Sequence, residues 1–199
     1  MDVVVSRYNE NLKWIINTDM PYFNIKIYNK GKDSVKNEYR KIPNQGRDGE
    51  TILRYIIENY YNLPPYVLFL QGNPFEHSKV TINSIYNYLY MYAGQFKGSI
   101  QSFESDIHSE EVNGNLKEYC MHLFGHAPSH VDFSPGIQYI ISRELIKNVP
   151  LTTFQKLRQM LINADSDDEN TYINFVPDKI NIHVFERIFP MIFFHPIVV

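Results

Sequence analysis

Two short, uninterrupted apolar runs constrain this chain most: VVV from Val3 and VLFL from Val67, each passing straight into polar residues, RYNE from Arg7 and QGNPFEH from Gln71. A strand with one face in water alternates apolar and polar residues, whereas a strand covered by helices on both faces stays apolar throughout. Both runs therefore predict central strands of a parallel sheet. Their polar ends mark where loops gather.

The residues around these runs supply the rest of the layered fold. Asn9 or Asn11 caps a short helix with Leu12, Ile15 and Ile16 on one side, and Phe23, Ile25 and Ile27 alternate with Asn24 and Lys26 as a strand does. The stretch 29–45, rich in Lys, Asn and Gly, reads as a surface loop. From Asp48, taken as the cap, a helix carries Ile52, Tyr55, Ile56, Asn59 and Tyr60 until Pro64 and Pro65 stop it. Strand and helix alternating in this order predict a right-handed, parallel sheet. Beyond it the pattern predicts a helix over 78–92, loops and short helices over 94–130, and a strand on Ile137, Tyr139 and Ile141. A helix then begins at Glu144, a longer one holds Phe154, Leu157, Met160 and Leu161, and Asp165, Asp167, Asp168 and Glu169 form an acidic turn. Asp178 is the expected cap of a last helix through Val184, Phe185, Ile188 and Phe189, ended by Pro190. The expectation is one α/β domain over 1–199, a Rossmann-like layered fold with a central, mostly parallel sheet flanked by helices.

Composition narrows the function classes. A net charge of −3 gives no global field for nucleic acid, and Cys120, the single cysteine, leaves no internal disulfide and no cysteine-built zinc site. The chain starts without a basic region or signal-like apolar stretch, and the apolar residues from Ile188 onward, interrupted by Pro190, His195 and Pro196, fall short of a membrane span. The cytosol is the expected compartment. No HExxH, Walker-type loop or GxGxxG occurs, and neither Ser6, Ser134 nor Cys120 has a recognisable activating context.

In open parallel sheets ligands bind at the carboxyl ends of the strands. Those ends carry Arg7, Tyr8, Asn9 and Glu10, then Asn29, Lys30 and Gly31, then Gln71, Gly72, Asn73, Glu76 and His77. Arg7 and Lys30 suit a diphosphate, or equally a salt bridge with Glu10 or Glu50. Gly46, Arg47, Asp48, Gly49 and Glu50 open a helix whose free amides either hold an anion or are capped. Glu76 and His77 either ligate a divalent metal or, for His77, hydrogen-bond the loop.

The segments VVVSRYNE, IYNKG, PNQGRDGETILRYIIENYYNLP, FLQGNPFEH, SPGIQYIISRELI and VFERIFPMIF together resemble an uncharacterised domain family of unknown function found in fungi, bacteria and large DNA viruses. That family in turn resembles GT-A glycosyltransferases; GIQYIISRELI is similar to the GAQF-type segment near their acceptor site, and FERIF to the ERLF-like ending of capsule-type transferases. The resemblance implies a nucleotide held by Arg7, Tyr8, Asn9, Asn29 and Lys30, a sugar or diphosphate near Gln71, Gly72 and Asn73, and Glu186 as the base that takes the acceptor proton; equally, Glu186 forms an ion pair with Arg187 or a distant Arg that fixes the last helix. Gln138 either meets the acceptor or lies on a polar strand face. Such enzymes hold a divalent ion such as manganese with an Asp-x-Asp motif after the donor-site strand; here Gln71, Gly72 and Asn73 stand in that place, and Asp165, Ser166 and Asp167 spell the pattern only in a late loop.

The expected function is transfer of a sugar from a nucleotide-sugar donor to a glycan or small acceptor. The alternative is a non-catalytic module that binds a nucleotide sugar or glycan, and a purely structural interaction protein leaves the polar strand ends unexplained.

Overall fold

A computed structural model describes residues 1–16, 23–32, 39–76, 100–102, 107–164 and 173–198. The expected helix over 78–92, His77 and the acidic turn at Asp165 lie outside the described residues. In chain order the first half comprises β1 (Asp2–Arg7), α1 (Lys13–Ile16), β2 (Asn24–Asn29), β3 (Arg40–Lys41), α2 (Arg47–Asn59) and β4 (Tyr66–Gln71). The second half holds β5 (Ile100–Ser102), β6 (His108–Glu111), α3 (Gly114–Phe124), β7 (His130–Phe133) and β8 (Tyr139–Ser142). It closes with α4 (Arg143–Lys147), α5 (Leu151–Asn163) and α6 (Ile182–Ile188).

The main sheet has the order β3-β2-β1-β4-β8-β5. β3, β2, β1 and β4 run parallel, β8 runs against β4, and β5 against β8, so five of the six strands share one direction. β6 and β7 form a separate antiparallel pair. β1 is buried at every position. Its side chains divide by the strand's two-residue period. Val3 and Val5 join Leu68, Leu70 and Ile140 against Leu12, just before α1, and Ile15 of α1, while Val4 joins Val67, Phe69 and Ile141 on the opposite face under α2, α5 and α6. The expected mixed α/β layering, with helices on both faces of a mostly parallel sheet, is what forms.

Several local expectations differ from the structure. β3, only two residues long, pairs Tyr28 with Arg40 inside the stretch read as loop. The 94–130 region contains a hairpin strand and the 11-residue α3 rather than only loops and short helices. Ile137 is not in a strand: Pro135–Ile137 form a 3-10 turn, with Gly136 at φ 74 and Ile137 at φ 53, and β8 starts at Tyr139 with all four residues buried. Asp48 does not cap α2, because the helix begins one residue earlier, after Gly46 in the left-handed region. Nor does Asp178 cap α6; Asn181 does, its Oδ1 accepting the His183 amide at 2.9 Å. Asn181 is buried, so Asn181→Ala leaves that amide without a partner and is expected to cost about 1 kcal/mol. A urea midpoint equal to wild type, at unchanged slope, would deny the cap this role.

Candidate functional site

The chain leaves β1 through α1 to β2 on one side, and later returns through α2 to β4 on the other side of β1. Strand order therefore reverses between β1 and β4, and in open sheets the crevice outside the carboxyl ends at such a point receives ligands. A cleft of about 360 Å³ opens there. Ser6, Arg7, Tyr8 and Glu10 form one wall. Lys30, Asn44, Arg47 and Asp48 form the other. A larger hollow of about 570 Å³ lies along the outer edge of β2, between Tyr28, Arg40 and Glu58, away from the strand ends. Its Arg40 is already tied to Glu58 by both terminal guanidinium nitrogens, Nη1 and Nη2, so the smaller cleft carries the candidate chemistry.

Arg7 is buried, and its guanidinium organises the loops around it. Nε donates to the Glu10 carbonyl at 2.9 Å, and Nη1 donates to Asn29 Oδ1 at 2.8 Å. Asn29 Oδ1 also accepts the Gly31 amide at 3.1 Å, which fixes the orientation of a side chain with no exposed surface. Lys30 donates to Glu50 Oε2 at 2.9 Å and to the Gln45 carbonyl at 2.6 Å, with its side chain 3% exposed. Of the two salt bridges foreseen for these cations, Lys30 forms the one to Glu50, while Arg7 meets Glu10 through its backbone carbonyl, which carries no charge. Glu50 also binds Arg54 and Arg158 at 2.8 Å each. Burial alone would raise its carboxyl, but Lys30 and the arginines outweigh burial and hold it below the ordinary range. Lys30 has a single carboxylate partner, so burial prevails and its ammonium is lowered.

A second string of contacts crosses from the cleft to α6. Asp48, half-buried, accepts Gln71 Nε2 at 2.9 Å; burial pushes its carboxyl above the ordinary range, against the pull of Gln71, Ser6 and Lys30 and with help from Glu10. Gln71 lies against Gly136, where a Cβ would stand 2.5 Å from the Gln71 amide carbon. The Gly136 amide donates to Glu186 Oε1. Arg187, the alternative partner for Glu186, lies 4.0 Å from Glu186 Oε2, and it also binds Glu110 at 2.6 Å and covers the Phe133 ring. Gln138 is fully buried, its Nε2 reaching the Pro74 carbonyl at 3.2 Å and its Oε1 without a partner.

The structure thus brings together Arg7, Tyr8, Glu10, Lys30 and Arg47 around one cleft, with Asn29, Gly31 and Glu50 behind it. Asn9 lies against Gly31, and Gly72 against Glu10. Asn73 follows Gly72 and is half-buried, while Gln71, Gln138 and Glu186 line up beside the cleft rather than in it. Ser6, Asn44 and Asp48 were not foreseen as cleft residues; only their position at strand and helix ends could have signalled them. The non-glycine residues with positive φ, Arg47 (42°) and Ile137 (53°), both sit in this region among the described residues. Backbone held in that conformation gathers at functional sites. Burial pushes the Cys120 thiol up to about 11, which keeps it protonated and poorly nucleophilic.

Among the described residues no three His, Cys, Asp or Glu side chains converge to hold a metal ion. The cleft itself offers two carboxylates, Glu10, which accepts the Tyr8 amide at 2.6 Å, and Asp48, which accepts Gln71 at 2.9 Å. Gly72 has no side chain, and one there would strike Glu10. This donor set does not fit a hard divalent cation, which seeks six or more oxygen ligands.

Fold and cleft define an open-sheet α/β protein with a polar, mixed-charge site at its strand-order reversal. Residues 3–92, which include β1 through β4 and α2, match the family model described as "Protein of unknown function (DUF3431)". Over that stretch the chain is similar to an uncharacterised family; β8 and Glu186 fall outside it. No curated protein and no solved structure matches the chain. Among the described residues, no helix is long and apolar enough to cross a membrane.

Proposed function

We propose that the protein is a GT-A-like glycosyltransferase that moves a sugar from a nucleotide-sugar donor to a glycan or small acceptor. The observation that carries the reading is the cleft at the strand-order reversal, with cationic residues from the ends of β1 and β2 beside carboxylates that face β4. Lys30, Arg54 and Arg158 gather on the carboxylate of Glu50, with Glu58 3.8 Å from Arg54, so three cations face two carboxylates and this side keeps a positive charge suited to a diphosphate. The α2 N-terminus adds the positive end of its dipole at the same place.

In an inverting transfer the acceptor oxygen bonds to the anomeric carbon. The bond from that carbon to the diphosphate oxygen breaks, and its electron pair leaves on the diphosphate. The acceptor proton passes to a carboxylate, for which Glu186 is the candidate. Glu186→Gln is expected to lower turnover at least a hundredfold with donor affinity unchanged; retained turnover would remove Glu186 from the chemistry.

The reading is tested by thermal shift with UDP, GDP, CMP and TDP sugars, each with and without manganese. Stabilisation by one nucleotide series is the expected result, and indifference to all of them defeats the proposal. The uncharged Gln71, Gly72 and Asn73 at the end of β4 favour a second reading, a non-catalytic module that binds the same ligands. Binding without release of labelled sugar would select it.

A further inference from the structure

The cleft has a charge axis. Toward β2 stand Arg7, locked on Asn29, and Lys30, within a cluster where three cations share Glu50. Toward β4 stand two carboxylates: Glu10, whose Oε2 would lie 2.5 Å from a Cβ at Gly72, and Asp48, which accepts the Gln71 amide at 2.9 Å. Glu10 is turned onto the Tyr8 amide. Asp48, across the cleft, accepts from Gln71 and is also acted on by Ser6 and by the Lys30 charge. Ionised, a carboxyl group has about four acceptor positions, and protonated it keeps acceptor positions beside one donor, so Gln71 and Ser6 leave room for a ligand hydroxyl in either state. A phosphate has no proton to give to those positions. A polyol has hydroxyl donors and no charge to repel.

We infer that Asp48 accepts hydrogen bonds from hydroxyl groups of the donor sugar, so that the ligand lies with its diphosphate toward Arg7 and Lys30 and its sugar toward β4. The inference rests on the transferase reading and adds to it the ligand's direction in the cleft and a sugar-selecting residue. Asp48 sits at the second position of α2, and its side chain is committed to the β4 end of the cleft rather than to capping. Replacing it with asparagine removes a carboxylate that burial disfavours, so the variant is expected to fold.

The test measures calorimetric affinity of wild type and Asp48→Asn for matched pairs: UDP and UDP-glucose, GDP and GDP-mannose, TDP and TDP-glucose. Wild type is expected to bind one sugar conjugate more tightly than its bare nucleotide. Asp48→Asn should lose at least tenfold toward the conjugate while the bare nucleotide stays within threefold, and Asp48→Glu should recover part of the loss. Equal weakening toward both members of a pair would make Asp48 a prop for the whole cleft and overturn the inference. So would unchanged affinity for both, or a wild type indifferent to the sugar. A wild type that binds no nucleotide at all removes the transferase reading itself, and the inference with it.

Discussion

Glu50→Gln is expected to destabilise the protein by about 3–5 kcal/mol, the range seen when one partner of a buried ion pair is removed and the other charge is left stranded. Glu50 is 1% exposed, and its carboxylate holds Lys30 at 2.9 Å together with Arg54 and Arg158 at 2.8 Å. Arg54 and Arg158 reach partial solvent, at 18% and 27% exposure, but the Lys30 side chain at 3% does not. A neutral amide gives that ammonium an acceptor but no counter-charge, leaving a buried cation beside the Gln45 carbonyl. Urea denaturation gives the measurement, with Glu58→Gln as the comparison. Glu58 pairs with Arg40 at the surface, where such pairs contribute about 0–1 kcal/mol. Equal losses in the two variants would show that burial of the Glu50 cluster does not matter.

The same cluster sets a pH dependence. The Glu50 carboxyl is held below its ordinary range in the folded chain, so its contribution is fully present above the unfolded value and is lost as pH falls through the folded one. Lys30 acts in a different window. Its folded ammonium is lowered by burial, so the cost of keeping it charged is relieved as pH rises through the folded value toward the unfolded one. Stability therefore climbs with pH in the acid range through Glu50 and again in the alkaline range through Lys30. Glu50→Gln should flatten the acid limb.

Much of the central sheet was legible because burial on both faces leaves a strand no room for polar alternation, and Val3, Val4 and Val5 record that directly. Contacts between distant residues leave no such record. Nothing local distinguishes Lys30 bound to Glu50 from Lys30 in water, and Asp48 before an apolar helix looks the same whether it caps that helix or reaches across to Gln71. β8 was placed two residues early because Ile137 has the apolar character of a strand residue. Gly136, at φ 74, turns the chain just before it, and the reason is the tight approach to Gln71. The helical face of α3 is present as Leu116, Tyr119, Cys120 and Leu123, at three- and four-residue spacing. Two leucines alone are too sparse to mark it. The hairpin of β6 and β7 is hidden for another reason: HSEE and HVDF hold few residues that favour strands.

Gly31→Ala is expected to disrupt the site more than any change to a cleft side chain, because the obstacle it meets is backbone. A Cβ at position 31 would stand 1.6 Å from the Tyr8 carbonyl oxygen and 2.6 Å from Asn9 Oδ1. A flexible side chain could swing aside, but the Tyr8 carbonyl belongs to the loop that Arg7 pins through Glu10 and Asn29. Relief requires the β1 and β2 end loops to part. That movement breaks the Gly31 amide bond to Asn29 Oδ1 at 3.1 Å and, with it, the orientation Asn29 gives to Arg7. The stability loss is expected to be about 3 kcal/mol, the upper part of the range for overpacking a close contact. The cleft should lose its ligand altogether, since Arg7 and Tyr8 form one wall of it. Circular dichroism will show a folded chain with a lowered thermal midpoint, and calorimetry will show no binding of the nucleotide that stabilises wild type. Gly31→Ala with wild-type affinity would mean that the two loops can separate without cost to the site, and the cleft would then have to be held by α2 alone.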